Sequence, residues 1–414
     1  MKLGVNIIDV QRKNRCIVLQ ALMAAGEISR VDLARITELN KATITNIIRE
    51  FLEIGIVKEI GQIESSNGRK VAGIRLEMRD AVSVILSIRK DRFGTAICNM
   101  RGEIEHYVQI PYRDDNDINK ILKQYKEEIE KQVEYCREKH LKIMGLAAAT
   151  LGWLYRENGH YYIHATNAPV LAEVDIKETL EQMFPNMEVW VDHDANMSAL
   201  AEWNVLVRKQ EKMPESLLSI VGGLGFGGGI IIRGEVYGGY NGIAGEVGHM
   251  GINCITGQNG KYGNFRGTWE NYASPFAIRE LVLENRMDYP DTIISEHARL
   301  DEIYEAYEKG DDLAEWVMNR SARYMAYGIT SLVFILNPEV IVLGDEIIRS
   351  EKYEKQLWKY LKQNLPELLY KKLNIKFSEM GESGILVGAG IAMVKHYLRT
   401  YKMIDFITEC YSEK

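Results

Sequence analysis

The stretch Gly222–Met250, GGLGFGGGIIIRGEVYGGYNGIAGEVGHM, is the part of the chain whose reading decides the fold. Five of the seven residues Gly223–Gly229 are glycine, and an isoleucine run follows them. A glycine loop leaving a strand brings backbone amides close to an anionic ligand such as a phosphate. Glu246 and His249 then stand three apart among glycines, in Gly-Glu-Val-Gly-His. A carboxylate and an imidazole so placed suit adjacent hydroxyls of a sugar. The segment therefore predicts a pocket in which a phosphate loop and a sugar grip lie side by side.

Working outward, the strand feeding this loop is expected at Leu217–Val221. Other buried strands are expected at Val82–Ile88, Gly94–Cys98, Tyr107–Ile110, Ile143–Thr150 and Val340–Leu343, with another ending near His193. Helices are expected over Ile118–Lys139 and Leu313–Leu336. The alternation predicts an α/β body of two lobes with a cleft between them.

The first 78 residues read differently. A helix is expected over Asn14–Ala25, with Ile17, Val18, Ala21 and Leu22 as its apolar stripe and Gly26 closing it. Ser29 and Asp32 have capping-box spacing, opening a short helix to Thr37. After the turn Glu38–Asn40, Asn40 caps a third helix with Ile44, Ile47, Ile48, Phe51 and Leu52 on its buried face. Two short helices on so tight a turn predict a helix-turn-helix. The opposite face of the third helix offers Lys41, Thr43, Thr45, Asn46 and Arg49, groups suited to base edges and phosphates. Strands at Ile56–Ile60 and Val71–Leu76 flank Ser65–Lys70 as a hairpin wing, whose Arg69 and Lys70 suit phosphate or minor-groove contact.

Bulk properties agree. The 414 residues are 46% hydrophobic and 26% charged, within the range of globular domains, and their number suggests two or three domains. Residues 1–78 hold twelve Lys/Arg against nine Asp/Glu, a net of +3, while the remainder holds 39 against 49, a net of −10. A basic head on an acidic body fits an anionic partner for the head. Five scattered cysteines without a CxxC pair, a start without a signal-like apolar core, and apolar runs too short for a bilayer predict a cytoplasmic protein.

Several motifs in order carry a family resemblance. In the head these are Asn14-Arg15, Ile28-Ser29-Arg30, Asp32-Leu33-Ala34 and Gly68-Arg69. In the body they are Val191-Asp-His-Asp-Ala-Asn196, Ala244-Gly-Glu-Val-Gly-His249, Arg266-Gly267 with Glu270, and Tyr272-Ala-Ser274. With them the chain resembles the ROK (repressor, open reading frame, kinase) family over nearly its whole length, and its sugar-responsive repressors in particular. The resemblance implies a winged helix-turn-helix domain (1–78) followed by a two-lobed, actin-like ATPase (sugar kinase-like) body (79–414). It also implies a homodimer or homotetramer, operator DNA as partner, and a small sugar effector.

By the same resemblance Asp194 stands where family kinases have the general base. Glu246, His249 and Glu270 stand where they bind sugar hydroxyls. His193 replaces the Asn that precedes the base. The nucleotide side departs from the kinases. Ser87 stands where the metal- and phosphate-holding loop has Asp, Arg89 replaces a Gly, Leu224 a Thr, and Asp345-Glu346 follow Gly344 where a nucleotide would lie. The family's zinc cysteines are replaced by Lys261, Gly263 and Thr268, leaving Cys254 nearby, so no metal and no cofactor are expected. The expected function is a non-enzymatic, sugar-modulated repressor of carbohydrate-utilisation genes. The alternatives are an ATP-dependent sugar kinase with Asp194 as base, and a regulator whose body binds a protein partner. Whether Trp153, Tyr161, Tyr162 and Trp269 are core or pocket wall is left open by the residues themselves.

Overall fold

A computed structural model describes residues 7–65, 68–114, 116–165, 168–209, 214–253, 255, 265–381 and 383–411. Of the residues singled out above, Ser66, Asn67, Cys254, Lys261 and Gly263 lie outside that set.

The head consists of helices α1 (Ile7–Ala25), α2 (Arg30–Thr37) and α3 (Lys41–Glu53) with strands β1 (Glu27–Ser29), β2 (Val57–Glu64) and β3 (Lys70–Leu76). Its local signals are used as chemistry requires. The Ser29 hydroxyl accepts from the Asp32 N–H at 3.0 Å and donates to the Asp32 carboxylate at 2.6 Å. Asn40 accepts from the Thr43 N–H at 2.8 Å, satisfying a donor the first turn would leave orphaned. α1 starts seven residues before the expected Asn14, and β2 runs four residues beyond Ile60. β1, which no pattern announced, pairs with β3 to make a three-stranded sheet in the order β1-β3-β2. A three-residue strand is too short for periodicity to reveal.

The body contains β4 (Ala81–Ile88), β5 (Arg92–Asn99), β6 (Ile104–Pro111), β7 (Lys142–Thr150), β8 (Trp153–Glu157), β9 (His160–His164) and β10 (Glu188–His193) in its first half. Its second half carries β11 (Ser216–Gly222), β12 (Phe226–Ile232), β13 (Glu235–Val236), β14 (Val340–Asp345) and β15 (Ile375–Phe377). Its helices are α4 (Ile118–Glu138), α5 (Ile176–Met183), α6 (Asp194–Lys209), α7 (Glu270–Ala273), α8 (Pro275–Asn285), α9 (Leu300–Lys309) and α10 (Asp312–Leu336). The last four are α11 (Glu351–Asn364), α12 (Glu367–Tyr370), α13 (Ser383–Arg399) and α14 (Lys402–Tyr411).

The two lobes repeat one plan. The first sheet runs β10-β7-β4-β5-β6 and the second β15-β14-β11-β12-β13. In each, the first three strands of the lobe are antiparallel and the last two add in parallel. Each lobe then gives one helix to the other. α6, which continues from β10, packs on β11 and β12, whereas α13, which follows β15, packs on β4 and β7. α6 and α13 also pack on each other, so together they fill the layer between the sheets.

Missing side chains make this layer thin. A Cβ on Gly388 of α13 would overlap the Met197 carbonyl of α6, and one on Gly229 of β12 would overlap the Ala195 carbonyl. The hydrophobic cluster here includes Leu200, Trp203, Leu206, Ala389 and Met393. It continues without a break into the head, through Phe406 and Tyr411 of α14 to Leu19, Leu22, Leu33 and Phe51. Arg12 of α1 pairs with Asp405 of α14. Among the described residues no helix is long and apolar enough to cross a membrane.

Gly388→Ala should separate α6 from α13. We expect a loss of at least about 2 kcal/mol in urea unfolding, on the scale of overpacked cores. Gly61→Ala, in β2 where nothing lies near the missing side chain and φ is not positive, should lose less.

Candidate functional site

The segment Gly222–Met250 folds as a hairpin and a returning turn. Its glycines do not form one loop. β11 ends at Gly222 and β12 begins at Phe226, so the turn is only Gly223-Leu224-Gly225, and Gly227–Gly229 lie within β12. Successive residues of a strand face opposite sides. Gly227 and Gly229 face α6, where Ala195 and Ala199 fill the space. Gly228 faces the other way, 2.7 Å in Cβ terms from the Gly245 carbonyl. Gly245 itself has φ +100°, a conformation glycine adopts without strain. The glycines thus let β12 lie against a helix on one side and the Glu246–His249 turn on the other. The turn Gly223-Leu224-Gly225 itself lines the cleft.

This packing brings all five expected body residues to one cleft of about 810 Å³ between the lobes. His193 ends β10 and Asp194 begins α6. Glu246 and His249 come from the glycine turn, and Glu270 opens α7. His193 Nε2 lies 3.2 Å from Asp194 Oδ1 and 3.9 Å from Glu246 Oε1. Glu270 Oε2 accepts from the Phe226 N–H at 3.3 Å. Its other oxygen, Oε1, lies 3.6 Å from His249 Nδ1. Both of those atoms are buried without a hydrogen-bond partner among the described residues. Burying unsatisfied polar atoms is expensive, so this pair is an opening for a polar ligand.

Electrostatics mark the same spot. Burial pushes the Glu270 carboxyl up to about 7, with the charge of Glu246 adding to it. Burial also raises Glu246, helped by Asp194 and opposed by His193 and by the Trp153 indole N–H that faces its carboxylate. Burial lowers His249. Glu270 is therefore divided between its two forms near neutrality, and each hydroxyl of a polyol can meet either an acceptor or a donor.

Two residues of the site's frame carry roles that no motif assigns, Asp192 within the Val191–Asn196 motif and Arg156 outside any. Asp192 is buried, and its Oδ1 accepts from the His193 N–H at 2.8 Å and from Asn196 Nδ2 at 2.9 Å. Arg156 of β8 reaches the same oxygen at 2.9 Å. The partner lies in a hairpin, β8–β9, that the sequence reading left unassigned. Of the aromatic residues left open, Trp269 is core, with its N–H on the Tyr324 carbonyl at 2.8 Å. Tyr161 lies beneath the Arg156 guanidinium, Tyr162 is exposed, and Trp153 lines the cleft.

The other wall of the cleft is where a kinase would hold nucleotide. Arg89, Lys90, Leu224, Asp345 and Glu346 line it. Asp345 has φ +59°, in the left-handed region that glycine would occupy freely. Ile347 and Pro275 close on Gly222, within 2.6 and 3.0 Å of a Cβ placed there. Ser87 is buried in β4. Where the family resemblance places a cysteine, the Thr268 hydroxyl donates to the Phe265 carbonyl at 3.1 Å and accepts from Asn271 Nδ2 at 2.9 Å.

In the head, Lys41, Thr45, Asn46 and Arg49 are exposed on α3 and Thr43 is half-buried. Arg49 Nη2 donates to Asn46 Oδ1 at 3.1 Å, holding the two side chains together. Arg69 is exposed at the wing tip, its carbonyl accepting from the Ser65 N–H at 2.9 Å.

A winged helix-turn-helix joined to a two-lobed, actin-like body with a polar cleft is the architecture of ROK regulators. The model of the ROK family matches residues 86–396, and the chain belongs to that family. It is 28% identical over 398 residues to the xylose repressor of Caldicellulosiruptor bescii, covering 92% of this chain and 95% of that one. It is 27% identical over 353 residues to the DNA-binding transcriptional dual regulator NagC of Escherichia coli, covering 84% of each. The crystal structure of a ROK family transcriptional regulator, a homolog of the E. coli MLC protein, superposes with a TM-score of 0.80 at 22% identity. It covers 97% of this chain and 99% of that one, so the fold extends through head and body alike.

Because the Glu270 carboxyl rises from 4.5 to about 7 on folding, the folded protein holds a proton the unfolded chain releases. Stability should therefore fall as pH rises from about 4.5 through 7, by no more than about 3 kcal/mol. Glu270→Gln should flatten that slope in urea melts recorded at pH 5, 6, 7 and 8. An unchanged slope would show that Glu270 titrates normally.

Proposed function

We propose that this protein is a transcriptional repressor of carbohydrate-utilisation genes that binds a sugar in its interlobe cleft and transfers no phosphate. The observation that carries this reading is a single helix. α6 starts at Asp194 in the cleft, runs about 24 Å at 1.5 Å per residue, and ends inside the cluster that holds the head. At its far end Arg208 Nη2 donates to the Arg101 carbonyl at 2.9 Å, and Arg101 Nη2 donates to the carbonyl of Leu76, the last residue of wing strand β3, at 3.2 Å. A sugar drawing Asp194 toward Glu246 and Glu270 would shift α6 as a rod and move the head with it.

The orphaned pair Glu270 Oε1 and His249 Nδ1 supports the sugar half of the reading, and so does the name of the xylose repressor relative. The exposed Asn46–Arg49 pair on α3 supports the DNA half. One recognition helix reads one half-site, so the working unit is a homodimer or a dimer of dimers. Against phosphoryl transfer stand the missing hydroxyl at Leu224 and the Asp345–Glu346 carboxylates, which share the nucleotide wall with Arg89 and Lys90.

Fluorescence anisotropy with DNA from upstream of this protein's own gene should show at least tenfold tighter binding than a random duplex at moderate salt. Asn46→Ala and Arg49→Ala should each cost about 1–3 kcal/mol of that preference. Arg69→Ala should weaken both duplexes and lower the salt slope by about one. Equal binding to both duplexes would defeat the reading. A coupled ADP-release assay with D-xylose, D-glucose and N-acetyl-D-glucosamine should show no turnover, and turnover abolished by Asp194→Asn would make the protein a kinase.

Arg101→Ala combined with Arg208→Ala should leave DNA affinity and sugar-dependent melting intact while reducing sugar-induced DNA release severalfold. Full release in that variant would remove the Arg208–Arg101–Leu76 chain as the route and leave the hydrophobic contact of α6 with the head.

A further inference from the structure

Trp153 sits at the base of the β8–β9 hairpin, an element of the first lobe that hangs over the cleft. Across the hairpin it pairs with His164, ring centroids 5.3 Å apart, and both residues line the cleft. Its indole meets His249 edge-on at 5.1 Å and 89°, and its N–H faces the Glu246 carboxylate. One flat side chain of the first lobe thus touches both members of the Gly-Glu-Val-Gly-His turn in the second.

The hairpin is held firmly enough to place that ring. Arg156 reaches Asp192 at 2.9 Å, and its own N–H donates to the Asn241 carbonyl at 2.8 Å. At the other end Asp175 accepts from the Tyr161 N–H at 3.1 Å and pairs with His160 Nδ1 at 2.9 Å. The two anchors fix the hairpin to the end of β10, to the loop before the glycine turn, and to the start of α5. A core tryptophan has no need of such a setting. Trp269, by contrast, is enclosed and has its N–H on a backbone carbonyl.

We propose that Trp153 is a ligand-contacting, specificity-determining residue of the effector site. Its indole forms a platform for pyranoses with only C–H on both faces, those whose ring hydroxyls are all equatorial, so that the ring stacks whichever face the rim carboxylates turn toward it. The inference rests on reading the cleft as a sugar site. An indole is apolar on its face and polar at its N–H, so it suits a ring with carbon-bound hydrogens on its faces and hydroxyls at its rim. The carboxylates of Asp194, Glu246 and Glu270 take the rim hydroxyls, and the indole takes the face. An axial hydroxyl on that face would lose its hydration against the ring without gaining a partner, and that penalty generates the selectivity.

The test is a titration of the full-length protein with D-xylose, D-glucose and N-acetyl-D-glucosamine, whose ring hydroxyls are equatorial. D-galactose and D-lyxose, each with one axial hydroxyl, serve as the comparison. Binding is read both by melting temperature and by intrinsic tryptophan fluorescence. The wild type should bind at least one equatorial sugar tenfold or more tighter than the axial ones, with a fluorescence change. Trp153→Phe should keep the selectivity, bind severalfold more weakly, and lose that fluorescence change. Trp153→Ala should lose tenfold or more in affinity and most of the selectivity, with an unchanged melting temperature in the absence of sugar. Should Trp153→Ala fail to fold, Trp153→Phe decides. Wild-type affinity and an intact fluorescence response in that variant would overturn the proposal while leaving the sugar site standing. An axial sugar bound as well as an equatorial one by the wild type would overturn it too. If none of the five sugars raises the wild-type melting temperature, the sugar-site reading fails and takes this inference with it.

Discussion

The structure depends on how closely backbones approach in the layer between its two sheets. α6 and α13 are exchanged between lobes, each lying on the sheet of the other half. That arrangement works because Gly388, Gly227 and Gly229 carry no side chain where α6 meets α13 and β12. Close packing of this kind has little tolerance, since interiors are as dense as molecular crystals. A helix so held moves as a unit. Its first residue is in the cleft and its last turn belongs to the cluster beneath the head, so position at one end is tied to position at the other.

The cleft is shaped by the same economy of side chains. Gly228 and Gly245 allow the Glu246–His249 turn to lie on β12, and Gly248 lets Glu270 come to it, with 2.6 Å between Glu270 Oε2 and a Cβ placed at Gly248. The result is a set of carboxylates and imidazoles in a partly desolvated space, where burial raises Glu246 and Glu270 and lowers His249. Such a set binds hydroxyls well. The wall opposite carries both signs of charge, with Arg89 and Lys90 beside Asp345 and Glu346.

Much of this was legible in the sequence because it is local. Caps at Ser29 and Asn40, the apolar face of α3, and strands of unbroken small apolar residues such as Ile143–Thr150 obey periodicities that the chain carries by itself. The glycine segment misled in one respect. A dense glycine run reads as a loop, yet Gly227–Gly229 are strand, chosen for what packs against them on each side. The β8–β9 hairpin was not legible either. Its residues alternate weakly, and its worth lies in Trp153 and Arg156 reaching partners far along the chain.

The sequence alone determined the helix-turn-helix head, the α/β body, the family to which the chain belongs, and the residue types available to a sugar. Local hydrogen bonding, side-chain periodicity and ordered motifs are written along the chain. Only the tertiary structure decided that Glu270 Oε1 and His249 Nδ1 face each other without partners, that Asp192 is anchored by Arg156, and that α6 joins cleft to head. Those facts depend on distances between residues far apart in sequence, and on how completely water is excluded between them. Neither quantity exists until the lobes have folded against each other.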